Sequence, residues 1–320
     1  MADKEFFHAF RLGDDDDDDD DDANDDNSSD DDDDDDADDS DGDSGNDNDD
    51  DDDDDDEQAG DDEDGDSLRA VPSGSSGAKS YGRSGPSKDK DQFETFEPQG
   101  DADHLPDNVS YEYLFFPVQD QGDTPCCVTF AVSSVVEALI HKHTGNHFAI
   151  SKRALYSLSK HKYEPDEMNE DGLSDSSAMS VLRDIGHVLE NDLPFGKPTK
   201  AELIAMVPER IIKREHDLSG FMQVENDAEH MMAALHEHGP LIVGMQWFKD
   251  WEDLGGDGFM SDALKEGIDG GHCVAIVGYS KKKSAFRLRN SWGTDWADNG
   301  YAWLPMDMVE HIDDIYTLKL

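Results

Sequence analysis

The sequence has few cysteines and few basic residues. Three cysteines among 320 residues, two of them adjacent, are a poor basis for a disulfide framework, so we predict a reducing, intracellular location in the cytoplasm. There are 26 Lys and Arg against 80 Asp and Glu, a formal net charge of -54. Because an acidic protein repels phosphate backbones, this balance argues against a nucleic-acid partner.

Long apolar stretches are also missing. Residues 1–13 carry acidic side chains early and have no apolar core of signal-peptide length. No stretch approaches the ~18 apolar residues that are needed to span a bilayer. We therefore expect no secretory signal and no membrane partner. We also expect a monomeric protein.

Much of the negative charge lies in residues 14–66, where 37 of 53 side chains are Asp or Glu and none is Lys or Arg. Such a tract cannot bury enough apolar surface to fold, so we predict an extended, solvated spacer. Binding to a basic protein and weak association with Ca²⁺ are open alternatives, since carboxylates are hard ligands. The tract lacks the spaced ligands of a formed Ca²⁺ loop, and we expect no defined metal site.

The acidic tract is the middle of a predicted disordered arm, residues 1–105. The first 13 residues are either an ordinary terminus or a short docking peptide, because Phe6, Phe7 and Phe10 would share one face of a helix. Residues 67–105 are rich in Ser, Gly and Pro, a composition typical of a linker.

The remaining residues, 106–320, are enough for one catalytic unit with a sizeable core. We predict an α+β fold with a mainly helical lobe at about 106–222, a mainly β lobe at about 223–320 and a cleft between them. The predicted helices are 127–143, 151–160, 176–185 and 227–236. The predicted strands are 241–246, 273–279, 285–289, 301–304 and 315–320, after a short strand or extended lead-in at 113–118.

Three short segments carry the chemistry: residues 121–127 (Gln-Gly-Asp-Thr-Pro-Cys-Cys), residues 270–279 around a histidine, and residues 289–293 (Arg-Asn-Ser-Trp-Gly). A cysteine that follows a Pro-containing turn and opens an apolar helix is well placed to be held as a thiolate. A histidine on a strand can take its proton, and an asparagine can orient that histidine. Together they predict a nucleophile, a base and an orienting group in one site.

These segments resemble the papain family of cysteine peptidases, over about residues 110–320. The family has a Gln-Gly pair before a helix-opening cysteine, as at Gln121 to Cys127, and a histidine leading an apolar strand that ends Val-Gly-Tyr, as at His272 to Tyr279. Its third motif, Asn-Ser-Trp-Gly-x-x-Trp-x-x-x-Gly-Tyr, fits residues 290–301 throughout. The resemblance implies a papain-like fold, with a helical lobe and an antiparallel β-barrel-like lobe. It also implies a peptidase that needs no cofactor and no metal and that acts on polypeptide substrates.

The resemblance also implies a role for each site residue. Cys127 is the nucleophile, and His272 is the acid and base. Asn290 holds the imidazole in position, and Gln121 donates a side-chain N–H to the oxyanion beside the backbone N–H of Cys127. Trp292 shields the bond between Asn290 and His272 from water.

The sequence departs from the family around the nucleophile. Thr124 stands where the family has a disulfide cysteine, in keeping with an intracellular protein, and Val128 stands where it has a tryptophan. A neighbouring cysteine, Cys126, leaves open which thiol reacts. Counting from Gln121 favours Cys127.

Residues that bind substrate are expected at three glycines besides Trp292. Gly172 matches the family's substrate-backbone glycine, and Gly244 and Gly271 are expected to line the main specificity pocket, which their small size would leave roomy and apolar. Alternatively, Gly244 and Gly271 are ordinary strand or turn glycines.

Two His-x-His triplets, at 141–143 and 236–238, resemble metal ligands only superficially. They fall near predicted helix ends, where cationic side chains suit the helix dipole, and we expect no metal there.

The predicted function is a cysteine-type peptidase that hydrolyses peptide bonds through a thioester. A related thiol transferase or amidase, and a catalytically silent papain-like binding protein on an acidic tether, are the alternatives. A third hypothesis makes the acidic arm a sink for basic proteins or Ca²⁺. Residues 1–105 lack the apolar pattern of the family's helical inhibitory prosegment, so inhibition of that kind is not expected. A weaker hypothesis is that the Phe-containing terminus folds back into the cleft.

Overall fold

A computed structural model describes residues 79–88, 92–100, 104–214, 220–261 and 266–318, and all of them belong to one compact unit. The predicted docking peptide, the acidic tract and the first part of the predicted linker lie outside the described residues. Within the described residues, no helix combines the length and the apolar character needed to cross a membrane.

The five α-helices of the described residues have clear sequence signals at their ends. Ser151 and Ser174 cap two helices by accepting hydrogen bonds from Ala154 N and Ser177 N, and Gly145 ends the first helix at φ 75°. The four predicted helices are confirmed with boundaries that differ by at most three residues. The helices are α1 Cys127–Thr144, α2 Lys152–Tyr163, α3 Asp175–Asp184, α4 Lys200–Leu203 and α5 Ala228–Glu237.

The strands form one eight-stranded sheet in the part of the chain that is described. They are β1 Glu94–Thr95, β2 Asn108–Ser110, β3 Phe221–Gln223, β4 Leu241–Phe248, β5 Ile268–Ser280, β6 Ala285–Arg289, β7 Tyr301–Pro305 and β8 Ile312–Leu318. The order is β1-β3-β8-β4-β5-β6-β7, with β2 paired to β5. All pairs are antiparallel except β1 with β3. The sheet is open, because β1 and β7 stand at its two ends, and this refines the β-barrel-like prediction.

One predicted extended segment is different in the structure. Residues 113–118 contain the end of a 3-10 turn, Glu112–Leu114, followed by irregular backbone, and the strand of this region is β2. The apolar run at 113–118 reflects burial of Leu114 rather than pairing in the sheet.

Two hydrophobic clusters fill the unit. The first includes α1, α2 and α3 side chains such as Val132, Leu139 and Met179, and the second includes β4 to β7 side chains such as Trp247 and Leu288. The first cluster also contains sheet residues such as Ile242 and Ala275, so the helices pack directly on one face of the sheet.

The second half of the predicted linker packs on the folded unit. Phe93 is buried against Phe221 and Tyr316, with ring centroids 6.4 and 5.4 Å away. Phe96 is 2% exposed, and its backbone N–H donates to Gln223 O at 2.7 Å. The Ser, Gly and Pro content of this region indicated a linker and gave no sign that these two phenylalanines would be buried. Their burial holds β1 at the edge of the sheet.

Candidate active site

The predicted nucleophile opens a helix. Cys127 is the first residue of α1, and Cys126 precedes it as the N-cap. Both thiols are buried. Both belong to the first hydrophobic cluster, and the Cys127 Sγ accepts a hydrogen bond from Gly82 N at 3.2 Å. A helix N-terminus stabilises negative charge. The position of Cys127 therefore favours the thiolate form once water can reach the sulfur.

The predicted base and its orienting group are hydrogen-bonded. His272 lies on β5 opposite Met245 of β4, and its Nε2 is 2.8 Å from Asn290 Oδ1. The same Oδ1 accepts from Ser291 N at 2.8 Å, so the amide oxygen faces the ring and His272 Nε2 donates. In the neutral ring, Nδ1 is then the nitrogen free to take a proton. Among the described residues, Nδ1 is buried without a hydrogen-bond partner.

Aromatic rings surround this histidine. Trp292 lies 4.8 Å from His272 between ring centroids, at 32°, and Trp247 lies 4.7 Å away at 71°. Tyr81 completes the enclosure at 6.0 Å. Trp292 thus lies against the His272 ring, and Trp247 and Tyr81 add to the enclosure of that ring.

The predicted oxyanion donor is held firmly. Gln121 Oε1 accepts from Ser291 Oγ at 2.6 Å, and Gln121 Nε2 donates to Thr124 O at 2.8 Å. The second hydrogen of Nε2 is donated to Ser80 O at 3.1 Å. A backbone carbonyl therefore occupies the position where an oxyanion is expected.

That carbonyl belongs to a stretch of the chain that lies across the site. We call residues 79–84 the cleft segment. Leu173 N donates to Gly82 O at 2.9 Å, Ser84 N donates to Leu173 O at 3.0 Å, and Arg83 N donates to Gly271 O at 3.2 Å. The segment contacts residues of both hydrophobic clusters, Cys127 and Leu173 in the first and Trp292 in the second. The segment lies near the middle of the predicted linker, and the hypothesis that the Phe-containing terminus folds back into the cleft concerns residues outside the described ones.

The predicted substrate glycines all lie beside the cleft segment. A Cβ on Gly172 would lie 2.8 Å from the backbone of Gly82, and one on Gly271 would lie 2.8 Å from Arg83 O. Leu173, the neighbour of Gly172, makes the backbone hydrogen bonds. Sequence reasoning missed Leu173, because its main-chain role leaves no mark on residue type.

The pocket beside Gly244 differs from the expectation of an apolar one. It holds the Arg83 guanidinium, which Asp175, Asp313 and Asp314 surround. Gly244 leaves the necessary room, but the lining is acidic. The paired acidic residues at 313–314, in an otherwise apolar last strand, were the signal in the sequence.

Enclosure changes the protonation of the two central groups. Burial raises the pKa of the Cys127 thiol to about 12, although the backbone N–H groups of Cys273 and Gly82 lower it by hydrogen bonding. Burial lowers the pKa of His272 to about 4, and the hydrogen bond with Asn290 offsets part of this effect. With the cleft segment in place, the thiol and the imidazole are therefore both neutral at pH 7.

One group of potential metal ligands is present in the described residues. Glu225, Asp227 and His230 have ligand atoms within 4.8 Å of one another. Asp227 already caps α5 by accepting from Glu229 N and His230 N, which explains the arrangement. The His-x-His triplets lie at the ends of α1 and α5, as predicted.

Comparison with known proteins places these features in a family. Residues 106–313 match the model of the papain family of cysteine proteases. "Cysteine proteinase 3" of Entamoeba histolytica is 28% identical over 206 residues, covering 63% of this chain and 63% of that protein. "Procathepsin L" of Felis catus is 26% identical over 201 residues, covering 61% of this chain and 58% of that protein. The matched region thus spans about 60% of the length of these curated relatives.

Solved structures agree on the fold. Xylellain, a cysteine protease from Xylella fastidiosa, superposes with a TM-score of 0.67 at 23% identity, covering 75% of this chain and 95% of that one. Digestive procathepsin L 3 of Tenebrio molitor larval midgut gives a TM-score of 0.60 at 20% identity, covering 74% and 76%.

Proposed function

The chain belongs to the papain family of cysteine proteases, and we propose on this basis that it is a cysteine-type peptidase that hydrolyses peptide bonds through a thioester. One observation carries the proposal. The extended backbone of the cleft segment already lies across the Cys127 thiol and is hydrogen-bonded to the backbones of Leu173 and Gly271. Its Ser80 carbonyl accepts a hydrogen bond from the Gln121 side-chain amide. The cleft therefore has the groups that hold a peptide main chain.

The reaction follows from these groups. His272 Nδ1 takes the proton of the Cys127 thiol, and the sulfur attacks the carbonyl carbon of the substrate. Negative charge develops on the carbonyl oxygen, where Gln121 Nε2 and the Cys127 backbone N–H donate hydrogen bonds. The C–N bond breaks as His272 returns the proton to the leaving amine, which leaves a thioester. Water, deprotonated by His272, then cleaves the thioester and restores the thiol.

The cleft segment is not poised for this reaction. The group at the Cys127 sulfur is the Gly82 N–H rather than a carbonyl carbon, so no bond of the segment is presented for attack. The β-bridge between Arg83 and Leu173 is parallel, so the segment runs in the same direction as the chain at Leu173. We therefore propose that the described state is self-blocked, and that activity requires the cleft segment to leave.

No contact among the described residues favours the two alternatives, a silent binding protein and a thiol transferase or amidase. A silent binding protein has no need of a hydrogen-bonded His272 and Asn290 beside a cysteine at a helix N-terminus. A thiol transferase or amidase would use the same groups on a narrower acceptor. The extended backbone in the cleft favours polypeptide substrates.

The test uses the full chain with the cleft segment displaced. The Gly82→Ala variant, in which the added Cβ pushes the segment away, should hydrolyse an unfolded protein such as reduced casein, and adding Cys127→Ala should abolish the hydrolysis. Labelling with a thiol-reactive epoxide and mass spectrometry should locate the label on Cys127. An accessible, labelled Cys127 without any hydrolysis would contradict the proposed function.

Two predictions made from composition stay open. We propose that residues 14–66 associate with a basic protein or weakly with Ca²⁺, as their carboxylate density suggests. Calorimetric titration of the full chain with polylysine and with CaCl₂ tests this. An intracellular location is proposed from the low cysteine count and is tested by cell fractionation.

A further inference from the structure

The Arg83 side chain occupies a closed, acidic pocket. Its Nε lies 2.8 Å from Asp175 Oδ2, its Nη1 lies 2.7 Å from Asp313 Oδ2, and its Nη2 lies 2.5 Å from Asp314 Oδ2. The side chains of Arg83, Asp175 and Asp314 are fully buried, and that of Asp313 is 18% exposed. All three nitrogens of the guanidinium are therefore used.

The fold builds this pocket from distant parts of the chain. Asp175 is the first residue of α3, Asp313 and Asp314 lie on β8, and Gly244 of β4 faces Asp314 across the sheet. A Cβ on Gly244 would lie 2.1 Å from Arg83 Nε and 2.3 Å from Asp175 Oδ2. Any larger residue at 244 would fill the space that the guanidinium takes.

The buried carboxylates require a cation. A charge taken out of water is strongly destabilised unless an opposite charge and hydrogen bonds compensate it. The side chains of Asp175 and Asp314 are not exposed to solvent, so only groups that enter the pocket can compensate their charge. Burial raises the pKa of Asp175, which the Arg83 guanidinium opposes. The same carboxylates remain when the cleft segment leaves.

The shape of the pocket distinguishes arginine from lysine. Its three carboxylates approach three different nitrogens of one planar group. A lysine ammonium is a compact point charge and cannot reach carboxylates on opposite sides at once. The pocket thus fits a guanidinium better than an ammonium.

The position of the pocket fixes which substrate residue would enter it. Gly82 lies at the Cys127 sulfur, and its neighbour Arg83, paired with Leu173, points into the pocket. In a cleavable substrate, the residue at the sulfur carries the attacked carbonyl. The cleft segment pairs with Leu173 in the parallel sense, and a substrate that runs in the opposite direction places the residue before the attacked one on the Leu173 side, where it is the second residue before the cleaved bond.

We propose that this pocket selects substrates with arginine as the second residue before the cleaved bond, and that Asp175, Asp314 and Gly244 determine the preference. The proposal rests on the proposed peptidase function only for its cleavage step. Selective binding of a guanidinium follows from the pocket alone.

The binding test is independent of catalysis. In the full chain carrying Gly82→Ala and Arg83→Ala, the cleft segment clashes with Pro125 and loses the ion pairs of Arg83. A fluorescent peptide with the sequence of residues 79–88 is then added, either as it stands or with citrulline in place of its arginine. We expect the arginine peptide to bind at least tenfold more tightly, because citrulline has the same shape without the charge. Equal binding of the two peptides, or no binding of the arginine peptide, would overturn the proposal.

A matched pair of variants tests the pocket residues in the same background. Asp175→Asn should reduce the difference between the two peptides to threefold or less. Asp184→Asn, on the exposed end of the same helix, should leave the difference unchanged. Circular dichroism checks that both variants are folded. A full preference in the Asp175→Asn variant would contradict the assignment.

The cleavage test separates this proposal from the proposed function. Two fluorogenic peptides that differ only in arginine or leucine as the second residue before the cleaved bond are given to the Gly82→Ala variant. We expect kcat/KM to be at least tenfold higher for arginine. Hydrolysis without this preference would overturn the specificity alone. Selective binding of the arginine peptide without any hydrolysis would contradict the peptidase function and leave the guanidinium pocket standing.

Discussion

Gly82→Ala is the substitution that tests whether the cleft segment closes the site. Gly82 lies so close to the loop before the nucleophile that a Cβ would be 2.2 Å from the carbonyl carbon and oxygen of Pro125. Both neighbours are backbone atoms, so no side-chain rotation relieves the clash. Since ordinary contacts of this kind are about 3.5 Å, the segment must retreat by roughly 1 Å.

The size of the effect follows from the bonds that such a retreat breaks. The Gly82 N–H to Cys127 Sγ bond is 3.2 Å long, and the Leu173 N–H to Gly82 O bond is 2.9 Å long. A displacement of roughly 1 Å takes both beyond hydrogen-bond range. At about 1 kcal/mol each, their loss destabilises the closed state by about 2 kcal/mol. The equilibrium between closed and open forms then shifts by about 30-fold.

The assay is the rate at which Cys127 reacts with iodoacetamide at pH 7.5 in the full chain, followed by mass spectrometry of the peptide that contains it. We expect Gly82→Ala to react about 30-fold faster than the unsubstituted chain. Gly100→Ala is the matched control, because a Cβ there has no atom within 4 Å. If Gly82→Ala reacted as slowly as the control while remaining folded by circular dichroism, the cleft segment would not be what protects the thiol.

Three further predictions concern the site residues, and the first two are measured in the Gly82→Ala background. Cys127→Ala should abolish casein hydrolysis, and Cys126→Ala should retain a substantial part of it; equal loss would mean that the assigned nucleophile is wrong. His272→Ala should lower kcat more than Asn290→Ala, since proton transfer matters more than orientation, and the reverse order would contradict these roles. In the closed chain, NMR of the His272 ring should show titration near pH 4, and opening should raise that pKa. Because the open state binds the proton first as the pH falls from about 6.5 to 4, acidification should favour opening; identical titration in both forms would refute this.

Much of the fold follows from local signals in the sequence. Ser151 and Ser174 are capping residues that start two helices, and the alternating apolar residues of 285–289 predict that strand with its observed boundaries. The nucleophile, base and orienting residues were identifiable because their neighbours form family motifs. Short-range sequence patterns were therefore enough to predict most helices and strands and the three central residues of the site.

The cleft segment could not be predicted in this way. Tyr81 and Arg83 stand in a stretch rich in Ser and Gly, whose composition favours a linker. What holds them is complementarity to residues far along the chain, including Glu252, to which the Tyr81 hydroxyl donates a hydrogen bond, and Asp314. A charge that is unremarkable in a linker becomes an anchor only when α3 and β8 bring their carboxylates together.

The tether between the cleft segment and β1 decides how strongly the site is blocked. A ligand that is joined to its site by a short stretch of chain has an effective concentration of about 1 mM. A free substrate at about 1 μM that binds equally well would then occupy the cleft roughly a thousandfold less often. Matching the arginine contacts of Arg83 therefore does not let a substrate displace the segment. Cutting the chain between residues 88 and 93 would turn the tethered segment into a ligand that dissociates and is diluted. The backbone of the bound segment presents an N–H to Cys127 rather than a carbonyl carbon, so the site cannot cut its own chain while the segment is bound. The first cut therefore requires a second molecule of this protein or another peptidase.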